Sequence, residues 1–421
     1  MTMSATDQQA AKRRQTRMDP VAMAETLRPE TGESAFASHQ MLPRMVAHFH
    51  RLSGHFGGQV LTFMLTIAAA LIASVPMIWI SGSELWLTTT ALFGGALGSG
   101  PAIAETLVQM IPLLIAGLAV AVAFHASLFN IGVEGQLLFG GLVAGIVGAT
   151  VDLPPTLLMI ACILAGMAGG ALFALIPALL KAYRGAHEVV TTIMMNFVAL
   201  AVSEYAVAPT GPFVASDQPS ATERVPAGTQ LPIIWDGTRL HAGLLVALGA
   251  VAIVLWVLYR TPLGFRMRLM GANHGAARAS GVSIERMTIF ALLASGALGG
   301  LAGAVQVLGV YGRFYSAFSP GYGFDAIAVA LLGALSPIGV VASGFFFAVL
   351  HAGSVPLQAI AGISREMVGV VSGLVVAFVA AQPAVLRLLS SMRKPAIDDS
   401  LTNSEPDQQP VETSARMEMP S

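Results

Sequence analysis

Long apolar stretches separated by short polar ones run through the chain from residue 59 to residue 389. An α-helix rises 1.5 Å per residue, so about 20 mostly apolar residues are needed to cross a bilayer core. Eight stretches meet that requirement: 59–80, 103–124, 156–180, 189–208, 242–259, 287–310, 338–356 and 367–389. Two others are interrupted. Residues 131–150 carry Glu134 and Gln136, and residues 323–335 are short and carry Asp325. A further short stretch, 85–97, runs into the glycine-rich GALGSG.

The basic residues orient these stretches, because cytoplasmic loops collect Lys and Arg. Seven precede residue 58, two lie at 181–184, five at 260–286 and four from Arg387 onward, out of 22. The remaining positions are Arg224, Arg239, Arg313 and Arg365. With the four richer regions inside, 59–80 leads out, 85–97 stays at the outer side, and 103–124 returns. Getting from His125 to Lys181 on one side then requires 131–150 to cross. The same parity requires 323–335 to cross. The expectation is an all-α polytopic membrane protein with about ten transmembrane helices and both termini cytoplasmic. The alternative is eight spans, with the two interrupted segments re-entrant. The domain plan is a polar, largely disordered tail over 1–58, with a short interfacial helix near 41–50, a transmembrane domain over 59–390, and a disordered tail over 391–421. The Pro- and Gly-rich loop 209–240 is expected outside.

Composition agrees: 55% of residues are apolar and 11% charged, against about 25% charged in soluble domains. The net charge of −1 suggests no nucleic-acid partner; bilayer lipid is the surroundings that the apolar stretches imply. Cys162, the single cysteine, has no internal partner and is expected to be buried. The first apolar stretch begins too late for a removable secretory signal.

Polar residues inside spans carry the functional expectation. A charge at the centre of a span costs roughly 2.5–3.5 kcal/mol on insertion scales, so it turns toward other helices or water. FNIGVEGQLLFGG, residues 129–141, places Asn130, Glu134 and Gln136 among glycines. This reads as a late-starting or broken helix facing a cavity; the alternative is that Asn130 and Glu134 merely cap a helix near the membrane surface. GYGFDAIAVALLGALSPIGVVASG, residues 321–344, again combines glycines, one acid and an interruption. The likeness between the two segments is too loose to make a sequence repeat. Asn196 stands out in EVVTTIMMNF, one turn after Thr192 on the same face. Glu105, His125, Glu188, Glu204, Gln306 and His351 read mainly as helix–helix hydrogen bonds or caps.

His48, His50 and His55 in HFHRLSGH lack a second ligand set and read as a solvated stretch, so neither metal nor cofactor is implied. No nucleophile elbow, HExxH or phosphate-binding GxxxxGK[ST] occurs. The protein is therefore expected not to be an enzyme, and any ATP-driven motor must be another subunit. In the loop 261–288, GANHGAARASGV predicts a small helix starting near Asn273 and stopping before Gly281. Its alanines lack the bulk of a lipid-lying helix and suit docking into a protein groove.

Four motifs in order, FNIGVEGQ (129–136), GAHEVVTTIMMNF (185–197), GANHGAARASGV (271–282) and GFDAIAVALLGALSPIG (323–339), make the chain resemble the permease subunits of bacterial ABC importers, in the simple-sugar and nucleoside branch. The resemblance covers roughly residues 59–390; LGALSP (332–337) replaces a more polar turn. It implies an inner-membrane protein paired with a second, identical or different, permease subunit. It also implies two ATP-binding subunits beneath and an external binding protein or lipoprotein. The segment with Gly271, Asn273, Ala276, Ala277 and Gly281 would be the coupling helix. NIGVEGQ is most typical of nucleoside-type members, so a nucleoside is the expected solute and a ribose-like sugar the alternative. Asn130, Glu134, Gln136, Asn196 and Asp325 would supply its hydrogen bonds. The competing class is an ion-coupled secondary transporter using Glu134 and Asp325, which would have no need of a docking helix.

Overall fold

The structure, a computed structural model, describes residues 56–80, 84–362 and a few positions between 369 and 381. The tails 1–55 and 382–421, and with them the expected tail boundaries and the side of each terminus, lie outside the described residues. So do His48, His50 and His55.

Among the described residues up to 362, twelve α-helices follow one another: α1 (Phe56–Ile80), α2 (Leu85–Leu97), α3 (Gly100–His125), α4 (Val133–Thr150), α5 (Pro155–Arg184), α6 (Glu188–Ala206), α7 (Gly243–Arg260), α8 (Pro262–Ala272), α9 (His274–Ala279), α10 (Ile284–Gln306), α11 (Tyr322–Leu332) and α12 (Pro337–Ala361). A π-turn, Val307–Tyr311, extends α10. Among the described residues, seven helices are long and apolar enough to cross a membrane: α3 to α7, α10 with its π-turn, and α12. Of the three other expected spans, 59–80 is apolar enough only over the shorter stretch 63–76, and 367–389 falls largely outside the described residues. Residues 323–335 do not form a full-length helix; α11 has 11 residues and reaches about 16 Å. Gly321, at φ 103°, turns the chain into it, and the Ser319 hydroxyl accepts from the Gly321 and Tyr322 amides.

Helix ends follow local chemistry. Ser99 accepts from Ala102 N ahead of α3, with a proline at the first helical positions; Ser283 accepts from Arg286 N ahead of α10. Gly185, at φ 65°, closes α5. Each satisfies an amide or carbonyl that the helix leaves open.

α3 is apolar all round and forms the central post. Its best apolar window is 89% buried, against 28% for α6 at the periphery. α2, α7, α10, α11 and α12 all pack on α3. Beside it, α4, α5 and α10 cross where glycines face one another. A methyl group at Gly300 would overlap the Gly166 carbonyl, and one at Gly140 would overlap Gly300. Close backbone approach of this kind replaces the hydrophobic drive that helices lack within lipid.

The loops mark the two ends of α3. At its Gly100 end sit Trp235 and Arg239 of loop 209–240. At the other end, the His125 carbonyl abuts Gly271 of the basic loop. We refer to these as the outer and inner ends, following the basic-residue rule. The outer loop folds back on the segment after the π-turn. Val225 N donates to Gly312 O, Thr222 N to Phe314 O, and Ser316 N to Ser220 O. Arg313, fully buried, clamps Asp217 through two 2.8 Å hydrogen bonds. That fork holds the Asp217 carboxyl below the usual carboxylate range.

Candidate functional site: two polar clusters and a basic-side helix

The chain between α3 and α4 is unwound over residues 126–132, and its backbone groups are satisfied by side chains. Asn130 Oδ1 accepts from Gly132 N at 2.9 Å, while Nδ2 donates to Ser295 Oγ at 2.8 Å and Gln136 Oε1 at 3.0 Å. The Ser295 hydroxyl donates to Ala119 O at 2.7 Å. From α6, Thr192 Oγ1 accepts from Ile131 N. Asn196 accepts from Gly135 N at 2.8 Å and donates to Ile131 O at 2.9 Å. Ala119 stands six residues before the end of α3, so the break lies about 9 Å inside that end.

Glu134, in the first turn of α4, accepts from Gly323 N at 2.6 Å. Two half-inserted helix N-termini, of α4 and α11, thus meet at one carboxylate, where their dipoles favour negative charge. Asn130, Glu134, Gln136 and Asn196 are all buried, at 0, 6, 2 and 7% exposure. The four predicted residues are brought together; Asn130, Gln136 and Asn196 bond the broken backbone, one another and Ser295, and Glu134 bonds the start of α11.

Asp325 belongs to a second cluster. Its Oδ2 meets His351 Nε2 at 2.8 Å, with the two side chains about one-fifth exposed. The Tyr322 ring lies 5.9 Å from the His351 ring, and its hydroxyl donates to Gln109 Oε1 at 2.7 Å. Gln109 Nε2 continues to Glu105 Oε1 at 3.1 Å, and Arg239 stands 3.6 Å from that carboxylate. The spacings explain the alignment: Glu105 and Gln109 are i, i+4 on α3, and Tyr322 and Asp325 are i, i+3 on α11. His351 lies mid-way along α12.

On the basic side, the Asn273 side chain accepts from Ala276 N at 3.1 Å and starts α9, and Gly281 at φ 78° follows its end. The predicted helix is there, with the predicted cap. The five residues expected to couple do not share one face. Asn273, Ala276 and Gly281 are exposed, whereas Ala277 is fully buried and Gly271 packs on His125. Ala277 therefore attaches the helix to its own chain. Arg268 lies 5.1 Å over the Tyr259 ring and Tyr259 stands against His125, tying α8 to the ends of α3 and α7. Among the described residues no three His, Cys, Asp or Glu side chains gather as a metal site.

Residues 102–380 match the permease component of the branched-chain amino acid transport system. The chain belongs to this permease family. The permease is 37% identical to the glucose ABC transporter permease protein of Haloferax volcanii over 339 residues, covering 77% of this chain and 86% of that one. It is 35% identical to the guanosine ABC transporter permease protein of Bacillus subtilis over 338 residues, 79% of this chain and 96% of the relative. The nucleoside ABC transporter permease protein of Lactococcus lactis is 35% identical over 298 residues. No solved structure is significantly similar. The protein is thus a multi-pass membrane permease, a transport component that works with ATP-binding and substrate-binding partners.

Sequence reasoning passed over Gln109 and Tyr322 and set Glu105 and His351 among helix-packing groups. An i, i+4 Glu–Gln pair inside an otherwise apolar span was the available sign on α3. Nothing local pointed to Tyr322, whose partner is 213 positions away.

Proposed function

We propose that this permease serves an ATP-driven importer of nucleosides. The observation that carries the reading is the guanosine relative, whose length is matched almost throughout, together with the NIGVEGQ segment at the α4 break. A neutral, polar solute suits a membrane domain that offers amides, carboxylates and hydroxyls. The second reading, a simple sugar, is favoured by the glucose relative. An ion-coupled carrier is disfavoured by the capped helix α9 on the basic side.

In this reading two permease subunits, identical or different, pair in the cytoplasmic membrane above two ATP-binding subunits. A binding protein or lipoprotein delivers solute at the outer side. Asn273, Ala276 and Gly281 present α9 to an ATP-binding subunit, and Ala277 and Gly271 anchor it from within. Asn130, Glu134, Gln136 and Asn196 hold the junction of the α4 and α11 N-termini beside the solute path, and Asp325 lies on it.

The test is uptake by the complete transporter in proteoliposomes, with labelled guanosine, uridine and glucose. Uptake that needs internal ATP and prefers nucleosides is expected. ATP-dependent uptake of glucose alone would move the assignment to sugars. Uptake that collapses with an ionophore while ATP stays high, with no ATP-binding subunit co-purifying, would overturn it.

A further inference from the structure

The second cluster answers a question that the first leaves open, namely which surface of the protein the solute touches. Glu105, Gln109, Asp325 and His351 are polar groups on helices of membrane-spanning length or packed among them, yet all four stay partly exposed on this chain. Hydrocarbon does not tolerate an exposed carboxylate in this position, so the surface that carries them faces water or another polar surface. α11 runs alongside α3 in the same direction, for Tyr322 reaches Gln109 and Val329 lies against Gly117. The cluster therefore descends from Glu105 near the outer end to Asp325 near the middle of α3, a run of about 10 Å. It is a graded series of hydrogen-bonding groups rather than an isolated pair.

Its unused capacity is on the acceptor side. Glu105 takes the Gln109 amide on Oε1, and Asp325 takes His351 on Oδ2. Glu105 Oε2 and Asp325 Oδ1 have no protein donor among the described residues. In the buried cluster, by contrast, the bonds of Asn130, Gln136 and Asn196 close on the chain itself. Carboxylate oxygens without a donor, beside a glutamine and an imidazole, suit a ligand rich in hydroxyl donors.

We propose that the face formed by Glu105, Gln109, Asp325 and His351 on α3, α11 and α12 is the wall of the solute path, and that its carboxylates read the vicinal hydroxyls of a ribosyl or sugar ring. Tyr322, buried behind Gln109, is a positioning residue that fixes the glutamine amide toward Glu105. The hydroxyl-reading part rests on the function proposed above; the placement of the wall does not.

The experiment uses the complete transporter in right-side-out membrane vesicles. Cys162 is buried and is the only cysteine, so Gln109→Cys can be probed with a membrane-impermeant methanethiosulfonate carrying a trimethylammonium group. Rapid labelling in a detergent-free membrane is expected, slowed when uridine is present with the binding protein. No labelling of Gln109→Cys, with a detergent-unfolded sample labelling fully, would overturn the wall. Asp325→Asn is expected to lower uridine uptake by about tenfold or more at unchanged membrane content. It should also narrow the preference for uridine over 2′,3′-dideoxyuridine in competition. Uridine uptake unchanged by Asp325→Asn would sink the hydroxyl-reading part. If no variant or wild-type vesicle takes up nucleoside or sugar while Gln109→Cys still labels, the assigned solute fails and the wall stands.

Discussion

The two polar clusters stand within a few residues of each other, at Gly323 and Asp325, and have opposite character. Around Asn130 every polar group is buried, and bonds run to a backbone segment that has left the helix. Around Asp325 the polar groups are bonded in pairs and remain partly open. Burial explains the difference. Inside hydrocarbon an unwound stretch survives only if protein supplies what the lost helix bonds supplied, so the 126–132 segment needs Asn130, Thr192 and Asn196 as surrogates. The α3–α11–α12 face has intact helices and has no such deficit to fill. Polar residues there are not taken up by backbone repair. Polarity within a span thus has two uses, and hydrogen-bond destination separates them.

The substitution expected to do most harm acts on the closed side. Gly300→Leu forces a side chain into the backbone contact of α10 with α5, where even a methyl group overlaps. It should abolish accumulation of folded permease in the membrane; full accumulation would show that the α4–α5–α10 crossing can spread. Asn130→Ala is next. It leaves the Gly132 amide, Ser295 and Gln136 short of partners. At about 1–3 kcal/mol for each buried group left unsatisfied, a fall in thermal stability in detergent should accompany any loss of transport. Stability equal to wild type with uptake abolished would move Asn130 to the open cluster.

Asp325→Asn and His351→Gln invert that pattern. Uptake should fall about tenfold while melting temperature changes little, since a partly exposed pair contributes on the order of 1 kcal/mol or less. A large stability loss would place this pair with the structural set. Glu134 allows a finer division. Glu134→Ala removes the acceptor for Gly323 N and should lower protein content and uptake together. Glu134→Gln keeps an acceptor oxygen and should restore most of both. Recovery of content without uptake would mean that the charge itself serves transport.

The smallest expected effect on folding, though not on transport, is at α9. Ala276→Arg alters an exposed position and should leave the protein stable but slow ATP-driven uptake. Ala277→Arg drives a charge into a fully buried site and should reduce the amount of folded protein, with coupling lost only as a consequence. Equal behaviour of the two variants, measured by membrane content and ATPase stimulation, would mean that α9 does not present one face outward.

Much of this was legible from local pattern. Apolar length gave the spans, Asn273 and Gly281 gave the ends of α9, and the glycine-flanked Asn130–Gln136 run announced a broken helix. What the local pattern left open was direction. Whether Glu134 faced a cavity or capped a helix depended on Gly323, 189 positions away, and the answer is that it receives the amide of another helix. The sequence already marked 323–335 as short, with re-entrance as the alternative to crossing; α11 starts at Tyr322 and stops at Leu332, where Ala334 and Leu335 take positive φ angles. The glycine spacing of Gly166 with Gly170 and of Gly296 with Gly300 was there to be read as a close-packing pattern, but which helices it joins follows from the crossing alone.

Chemistry along the chain determined that this is a helical membrane protein, and four motifs in order its family: lipid demands long apolar helices, and capping residues act within one turn. Tertiary structure decided which polar groups are spent on the unwound backbone and which stay partly open. That choice depends on partners up to 213 residues apart, and hydrogen bonding, unlike hydrophobicity, is satisfied by particular atoms in particular places.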